Sequence, residues 1–291
     1  RVDCDAAPLD YVSSWIAAWV EEFGFDGFRC DVVEYTEDWR WRQLYDKCDS
    51  ALVRWRAAHP DDPASKWISP MFFTGDHEDA FITYLPEYAK AGFSSMVNMK
   101  FPKDGNLNAI VGVWQQYSDS LNAHTDWWPF SYLNNAYFRE SDPNRAFECA
   151  TSFVLSPGAI QIFYGDEVGR QMSDAKYNVD AAQAFRSDYD WNNRDLSLME
   201  HYSKLCAFRK YHPAVGMGVQ KTLDSTTCIR THNSDIVVIK VLPPTNTPIN
   251  LGGAFADGTE VINAYTGEVC QVSNGTIKLT QPSGSVALIS K

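Results

Sequence analysis

Residues 24–31 read Gly24-Phe25-Asp26-Gly27-Phe28-Arg29-Cys30-Asp31, and they mark the passage from a helix to a strand. Its first glycine can end a helix, because glycine adopts positive φ without steric cost. The short apolar run that follows is typical of a strand, and it ends on a carboxylate. Upstream, apolar residues recur at helical spacing from Leu9 to Phe23. The stretch is therefore predicted to join a helix to a strand.

The same alternation continues downstream. A second helix is predicted from Glu37 to Ala58, where Pro60 and Pro63 follow and break it. Further helices separate buried strands, which are predicted at Trp67–Phe73, Phe93–Met99, Phe130–Leu133 and Ile160–Tyr164. An amphipathic helix at Leu196–Tyr211 closes the series. Alternating strands and helices predict a parallel sheet with helices outside it.

After His212-Pro213 the pattern changes to short strands separated by turns rich in glycine, asparagine and proline. Asn274-Gly275 between two such strands indicates a type I′ hairpin turn. It also begins a glycosylation sequon, although the turn alone explains these residues. We therefore expect two domains, a partial (β/α) barrel over residues 1–213 and a small antiparallel β-sandwich over residues 214–291.

Composition limits the classes of function. The formal net charge is -12, which disfavours binding to nucleic acid or to anionic lipid. No run of about 18 apolar residues is present, so no membrane span is expected. The N-terminal residues do not resemble a signal peptide, so any targeting segment is expected to lie upstream or to have been removed.

Cysteine usage gives little further guidance. The seven cysteines form no metal-binding pattern, and neither a metal nor another cofactor is expected. Cys228 and Cys270 could pair in the C-terminal domain, or both could remain free. An extracellular or organellar location is favoured over a cytosolic one.

Two motifs resemble those of the α-amylase family of glycoside hydrolases. Residues 24–31 resemble that family's fourth-strand motif, and residues 159–167 (AIQIFYGDE) resemble its eighth-strand motif. Residues 205–218 and 255–289 look like the last barrel helix and the C-terminal β domain. The resemblance implies a TIM-type (β/α)8 barrel of which only strands four to eight are present. It also implies that another protein chain covers the open barrel edge, and this chain could be the N-terminal barrel half.

The resemblance further implies where the catalytic carboxylates would lie. Asp31 falls at the position of the nucleophile, and Arg29 at that of the arginine which orients it. Asp76, in Thr74-Gly75-Asp76, replaces the acid glutamate of the family. A retaining mechanism needs these two carboxyl groups about 5–5.5 Å apart. Asp31 and Asp76 are the vestigial catalytic candidates, although an Asp31–Arg29 pair could also persist as a buried ion pair.

Four positions depart from the family pattern. Ala136 and Tyr137 stand where the seventh-strand motif has a histidine and the third carboxylate. Glu34 and Tyr35 replace a lysine and a histidine that line the leaving-group side. These substitutions remove sugar contacts of the family, and Glu34 reverses the charge of the lysine that it replaces.

The leading hypothesis is a catalytically inactive α-amylase-like protein that acts as a structural or assembly subunit, with residual affinity for α-glucan. The alternative is an active or weakly active α-glucan hydrolase or transglycosylase that uses Asp31 and Asp76. It would be completed by an N-terminal half on another chain. A third hypothesis is a carbohydrate-binding module, for which Trp127, Trp128, Tyr132 and Tyr137 could stack on sugars if they do not pack in the core.

Overall fold

The computed structural model describes residues 7–77, 81–135, 140–170, 186 and 188–291. Five parallel strands form one sheet in sequence order from β1 to β5. The strands are β1 (Gly27–Cys30), β2 (Phe72–Gly75), β3 (Ser95–Asn98), β4 (Trp128–Tyr132) and β5 (Ala159–Gln161). The helices before, between and after them are α1 (Pro8–Phe23), α2 (Asp38–Ala58), α3 (Pro86–Lys90), α4 (Ile110–Ala123), α5 (Ala146–Val154), α6 (Leu196–Tyr211) and α7 (Pro213–Met217).

Antiparallel strands follow α7. They are β6 (Val219–Asp224), β7 (Thr227–His232), β8 (Asp235–Val241), β9 (Pro248–Asn250), β10 (Glu260–Asn263), β11 (Glu268–Gln271), β12 (Thr276–Lys278) and β13 (Val286–Ser290). A six-stranded sheet has the order β11-β10-β13-β8-β7-β6, and β9 pairs with β12 in a second sheet. The prediction of a partial (β/α)8 barrel followed by a small antiparallel β domain is confirmed. None of the helices among the described residues is long and apolar enough to cross a membrane.

Contacts divide the chain into two units, Arg1–Met99 with His124–Trp128, and Lys100–Ala123 with Pro129–Lys291. The predicted domain boundary between residues 213 and 214 stays a prediction. In the first unit, α2 packs its buried face, including Cys48, Leu52 and Trp55, on Phe73 and Phe93. Gly24 ends α1 at φ 71°, and its amide donates to the Val20 carbonyl at 2.8 Å.

Helix α1 buries a different face from the one that its apolar spacing suggested. Only Ser13, Ala17 and Val20 are buried. The large apolar side chains remain exposed along one stripe, at Leu9, Val12, Trp15, Trp19 and Phe23. We call these five residues the α1 stripe. Trp15 and Trp19 are each about half exposed, at 52% and 48%, and their ring centroids lie 5.2 Å apart.

Strand β2 begins later than predicted. Residues 67–71 lie outside it, and Ile68 is 98% exposed. The strand starts at Phe72 because its pairing partner β1 starts at Gly27, which is aligned with Phe72 in the parallel register. Apolar character alone could not place this start, since pairing with a distant strand decides it.

In the second unit, the sandwich core lies between the six-stranded and the two-stranded sheets, where Val238 and Ala287 pack with Ile249 and Ile277. Asn274 and Gly275 both have positive φ, as a type I′ turn requires. The strands beside this turn enter different sheets, and only Ser273 and Thr276 bridge across it. The turn is therefore confirmed, whereas the expected hairpin is reduced to one bridge.

The possible pairing of Cys228 with Cys270 is wrong. Both cysteines are free, and they lie on β7 and β11, which are separated by three strands of the sheet. Four strand spacings amount to about 19 Å. A disulfide needs Cα atoms within about 7 Å, so the fold keeps these thiols apart.

The His201 imidazole is buried in the second unit, on α6. Its Nδ1 lies 2.7 Å from the Tyr265 hydroxyl, and its Nε2 lies 3.0 Å from both the Phe147 carbonyl oxygen and the Thr151 hydroxyl. Burial lowers the pKa of His201, with a smaller lowering from Lys204, whereas the Phe147 carbonyl and Glu148 raise it. The folded protein therefore favours the neutral ring.

This burial predicts a loss of stability in mild acid. Below about pH 6.5 the histidine of the unfolded protein binds a proton, whereas buried His201 resists protonation. Acid therefore stabilises the unfolded state relative to the folded state. We expect the free energy of unfolding to fall by up to about 1.4 kcal/mol per pH unit until the folded pKa is reached. Urea unfolding at a series of pH values from 7.5 to 5 measures this change in the free energy of unfolding.

His201→Gln should remove this part of the pH dependence, because glutamine hydrogen-bonds without titrating in this range. His59→Gln, at an exposed histidine, is the matched control and should keep the slope of the unaltered protein. Equal slopes for His201→Gln and the unaltered protein would contradict the prediction.

Candidate active site

The parallel register of β1 and β2 brings Asp31 and Asp76 together, although 44 residues separate them in the chain. Cys30 aligns with Gly75, and the Asp76 amide donates to the Cys30 carbonyl at 2.8 Å. Both carboxylates therefore follow the carboxyl ends of neighbouring strands. A Cβ added at Gly75 would lie 2.3 Å from the Met96 sulfur, so a larger residue would require that buried side chain to shift.

One guanidinium group holds both carboxylates. Arg29 Nη1 donates to Asp31 Oδ1 at 3.3 Å, and its Nη2 donates to Asp76 Oδ2. The side chain of Asp31 is 70% exposed, whereas that of Asp76 is 18% exposed. The Arg29–Asp31 pair is thus not the buried ion pair that the sequence allowed, and the more deeply placed partner of Arg29 is Asp76.

The pKa of Asp76 is raised, and burial is its largest cause. The positive charge of Arg29 opposes this shift, while Asp31 and Glu34 add to it as nearby carboxylates. A hydrogen bond between the Asp31 and Asp76 carboxyl groups raises it further. Asp76 therefore holds a proton to higher pH than an ordinary aspartate, as two carboxyls sharing one site require.

A 3₁₀ turn at Val33–Tyr35 carries two of the four departing positions. Val32 enters the turn at φ 48°, an uncommon conformation for a β-branched residue. The Val33 amide donates to the Asp76 carbonyl at 3.0 Å, which fixes the turn beside the carboxylates. Glu34 adds negative charge near Asp76, and Tyr35 projects into solvent with 82% of its surface exposed.

Ala136 and Tyr137 lie outside the described residues. In the second unit, Asn134 accepts hydrogen bonds from the amides of Glu140 and Ser141 at 2.9 and 3.0 Å, and donates to Asp166 at 2.7 Å. Lys103 forms an ion pair with Glu140. These hydrogen bonds and this ion pair, which the sequence did not predict, fix the residues on both sides of positions 136–139.

Comparisons with known proteins bear on the fold of this chain. No protein-family profile matches the chain. The chain is 31% identical over 246 residues to the periplasmic α-amylase of Escherichia coli, covering 80% of this chain and 35% of that protein. Its fold matches an α-amylase from Anoxybacillus with a TM-score of 0.67 and 15% identity, covering 97% of this chain and 62% of that one.

A third match is the α-amylase of Geobacillus thermoleovorans complexed with acarbose. The TM-score is 0.68 at 14% identity, covering 97% of this chain and 64% of that one. The chain has the fold of the α-amylase family of glycoside hydrolases. It spans about a third of the length of the curated E. coli relative.

Within this α-amylase fold, the Gly165-Asp166-Glu167 turn has internal partners. The Gly165 amide donates to Glu167 Oε2 at 2.9 Å, and Tyr189 donates to Glu167 Oε1 at 2.9 Å. Trp127 and Tyr132 are buried, so they pack in the interior instead of facing a sugar. In the described part of the chain, no three histidine, cysteine or acidic residues are grouped to hold a metal ion.

Proposed function

We propose that this protein is a catalytically inactive member of the α-amylase fold that acts as a structural or assembly subunit, with residual affinity for α-glucan. The observation that carries the proposal is that Arg29 binds Asp31 and Asp76 together. A retaining glycosidase leaves about 5–5.5 Å between its carboxyls, with the glycosidic bond between them. Here Arg29 pairs with both carboxylates, so the acid position and the nucleophile position share one positive charge.

The acid position also departs chemically. Aspartate in place of glutamate withdraws the carboxyl by about 1.5 Å, the length of one C–C bond. Displacement near 1 Å can cost about 100-fold in rate. Burial outweighs Arg29 and raises the pKa of Asp76, so the displacement of the carboxyl is the argument against an acid role.

One observation favours the second candidate, an active or weakly active α-glucan hydrolase or transglycosylase completed by an N-terminal half on another chain. Asp76, with its raised pKa, and the neighbouring Asp31 resemble a carboxyl pair in which one group acts as the acid and the other as the nucleophile. We rank it second because Glu34 places a further negative charge beside the pair. The Ala136 and Tyr137 substitutions, read from the sequence, weigh against it as well.

The assembly role is supported by apolar surface. Strands β1 and β5 are the two edges of the parallel sheet, and unpaired edges favour association. The α1 stripe adds exposed tryptophans and a phenylalanine on one helix face. We propose that another protein chain, such as an N-terminal barrel half, covers the open edges of the parallel sheet. An extracellular or organellar location is part of the proposal, and the E. coli relative is named as periplasmic.

If the α1 stripe is a binding surface for a partner chain, this chain should self-associate through the stripe when that partner is absent. We expect sedimentation velocity to show species heavier than one chain. Trp15→Glu with Trp19→Glu should shift them toward the single-chain mass, because two charges disrupt an apolar contact. The matched control is Trp39→Glu, at another exposed tryptophan, which should leave the distribution unchanged.

The assembly role would be contradicted by a single species of one-chain mass that unfolds cooperatively. Equal effects of the α1 stripe variant and the Trp39 variant would also contradict it.

A further inference from the structure

The Asn274-Gly275 turn lies on the surface of the β-sandwich, and its two residues are chemically labile as a pair. The amide nitrogen of a residue that follows asparagine can attack the side-chain carbonyl carbon, which closes a succinimide ring and releases ammonia. Glycine hinders this attack least, because it has no Cβ beside its amide nitrogen. Apart from its chain neighbours, a Cβ added at Gly275 would meet no described atom within 4 Å, so packing does not shield this amide.

A carboxylate holds the amide that would attack. The Gly275 amide donates to Asp257 Oδ1 at 2.8 Å, and the Gly275 carbonyl accepts from the Leu251 amide at 3.0 Å. Both contacts come from residues 251–257, a segment that follows β9. The turn is therefore tied to a neighbouring loop through both polar groups of one glycine.

The contact with Asp257 opposes ring closure for electrostatic reasons. The attacking nitrogen must lose its proton, and a hydrogen bond from an amide to a carboxylate stabilises the protonated amide. Loss of that proton would also place negative charge beside the carboxylate, which like-charge repulsion disfavours. Asp257 is exposed, so water weakens these effects without removing them. A carboxylate is too weak a base to take an amide proton outright, so the contact protects the turn.

We propose that Asn274 is a site of spontaneous deamidation, and that Asp257 slows this reaction by holding the Gly275 amide proton. In the first step, the bond between Gly275 N and Asn274 Cγ forms and the bond between Asn274 Cγ and Nδ2 breaks. The leaving Nδ2 group takes up the amide proton and departs as ammonia. Water then opens the ring at either carbonyl, which gives aspartate or its isomer linked through the side-chain carboxyl. Water is the co-reactant, and no electrons are transferred.

Either product would disturb the sandwich at this turn. A new carboxylate at position 274 would lie near Asp257, and like charges repel. The isomer also adds a methylene to the main chain between Ser273 and Thr276, which bridge across the turn. Just beyond the bridge, Ile277 lies in the sandwich core. Deamidation should therefore destabilise the sandwich, so Asp257 lengthens the chemical lifetime of the folded protein.

Asn233-Ser234 supplies an internal reference. Asn233 is exposed, has φ 53° and lies in the turn between β7 and β8. Serine follows it, and the Cβ of serine hinders the attack, so Asn233 should convert more slowly than an unprotected Asn274. Because the Asp257 carboxylate is hydrogen-bonded to Gly275, its removal should leave the rate at Asn233 unchanged.

Peptide mapping by mass spectrometry, after incubation of the folded protein at mildly alkaline pH, tests the proposal. Asp257→Ala should speed deamidation of Asn274 about tenfold or more, the effect of losing a hydrogen bond to a charged group. Glu260→Ala, at another exposed acid of the sandwich, removes the same charge and should leave the rate at Asn274 unchanged. In concentrated urea, where the contact is lost, all three proteins should deamidate Asn274 equally fast.

A looser turn would also speed deamidation, so hydrogen exchange is measured on the same variants. The amides of β12 should keep their protection in Asp257→Ala, which separates loss of one hydrogen bond from local unfolding. Equal rates at Asn274 in the folded unaltered protein and in Asp257→Ala would overturn the protective role of Asp257. A faster rate that accompanies lost protection of β12, or that Glu260→Ala reproduces, would overturn it as well. An Asn274 that stays intact in urea would overturn the site itself.

Discussion

The purified protein, with any natural partner bound, should release no new reducing ends from α-1,4-glucan or an activated α-glucoside above background. Asp31 would have to attack while Arg29 holds it beside Asp76, and the third carboxylate of the family is Tyr137 in this sequence. Losing one preorganised polar group commonly costs about 100- to 1000-fold in rate. A displaced acid costs about 100-fold more, so partial additivity already takes an ordinary enzyme below detection.

Asp31→Asn is the control for this measurement, because it removes the candidate nucleophile while keeping the side chain's shape. Equal background signal from both proteins is the expected result. Activity that Asp31→Asn abolishes would overturn the inactive assignment and favour the second candidate.

A variant that restores family residues tests the same prediction from the opposite direction. Asp76→Glu combined with Ala136→His and Tyr137→Asp returns these three positions to the family pattern and leaves Glu34 and Tyr35 as they are. Activity should then appear only when the missing barrel half is present.

Arg230→Met should cost about 3–5 kcal/mol of unfolding free energy, the largest stability change that we expect. Arg230 is fully buried and donates to the carbonyls of Leu155 at 2.5 Å and Val215 at 2.6 Å, and to Gln220 at 3.0 Å. Methionine fills a similar volume but leaves these buried acceptors without donors, each costing about 1–3 kcal/mol.

The position of Arg230 at the end of α5 adds to this cost. Arg209 donates to the carbonyls of Val154 and Ser156 at 3.0 and 2.7 Å, so two arginines serve the negative end of one helix. Burial lowers the pKa of both arginines to about 10, which leaves each charged at neutral pH. Their charges therefore persist in the interior because helix carbonyls stabilise them.

Urea unfolding measures the effect, with Arg54→Met as the control. Arg54 pairs with Glu21 at 2.8 Å on the surface, where an ion pair contributes at most about 1 kcal/mol. If Arg230→Met does not fold, Arg230→Lys keeps the charge but loses the forked geometry, and should still unfold at lower urea. A cost below about 1 kcal/mol at Arg230 would contradict the prediction.

The order of elements and the candidate pair Asp31 and Asp76 could be predicted from the sequence alone. Apolar periodicity gave α6 its observed bounds, and Gly24 ended α1 where predicted. Asn274-Gly275 predicted its own turn. These features depend on the conformational preferences of a few consecutive residues, so a local reading suffices. The motif at residues 24–31 likewise identified Arg29 and Asp31 without any tertiary information.

Which groups meet and which faces are covered depends on tertiary packing, which no local pattern encodes. Arg29 binds Asp76 because the β1–β2 register places Cys30 beside Gly75, and no local pattern encodes that register. The α1 stripe has the spacing of a core face but lies exposed, since burial depends on what packs against a helix and not on its periodicity. Arg230 reads as a surface cation in sequence, yet the carbonyls that retain it in the interior come from residues 15 and 75 positions away.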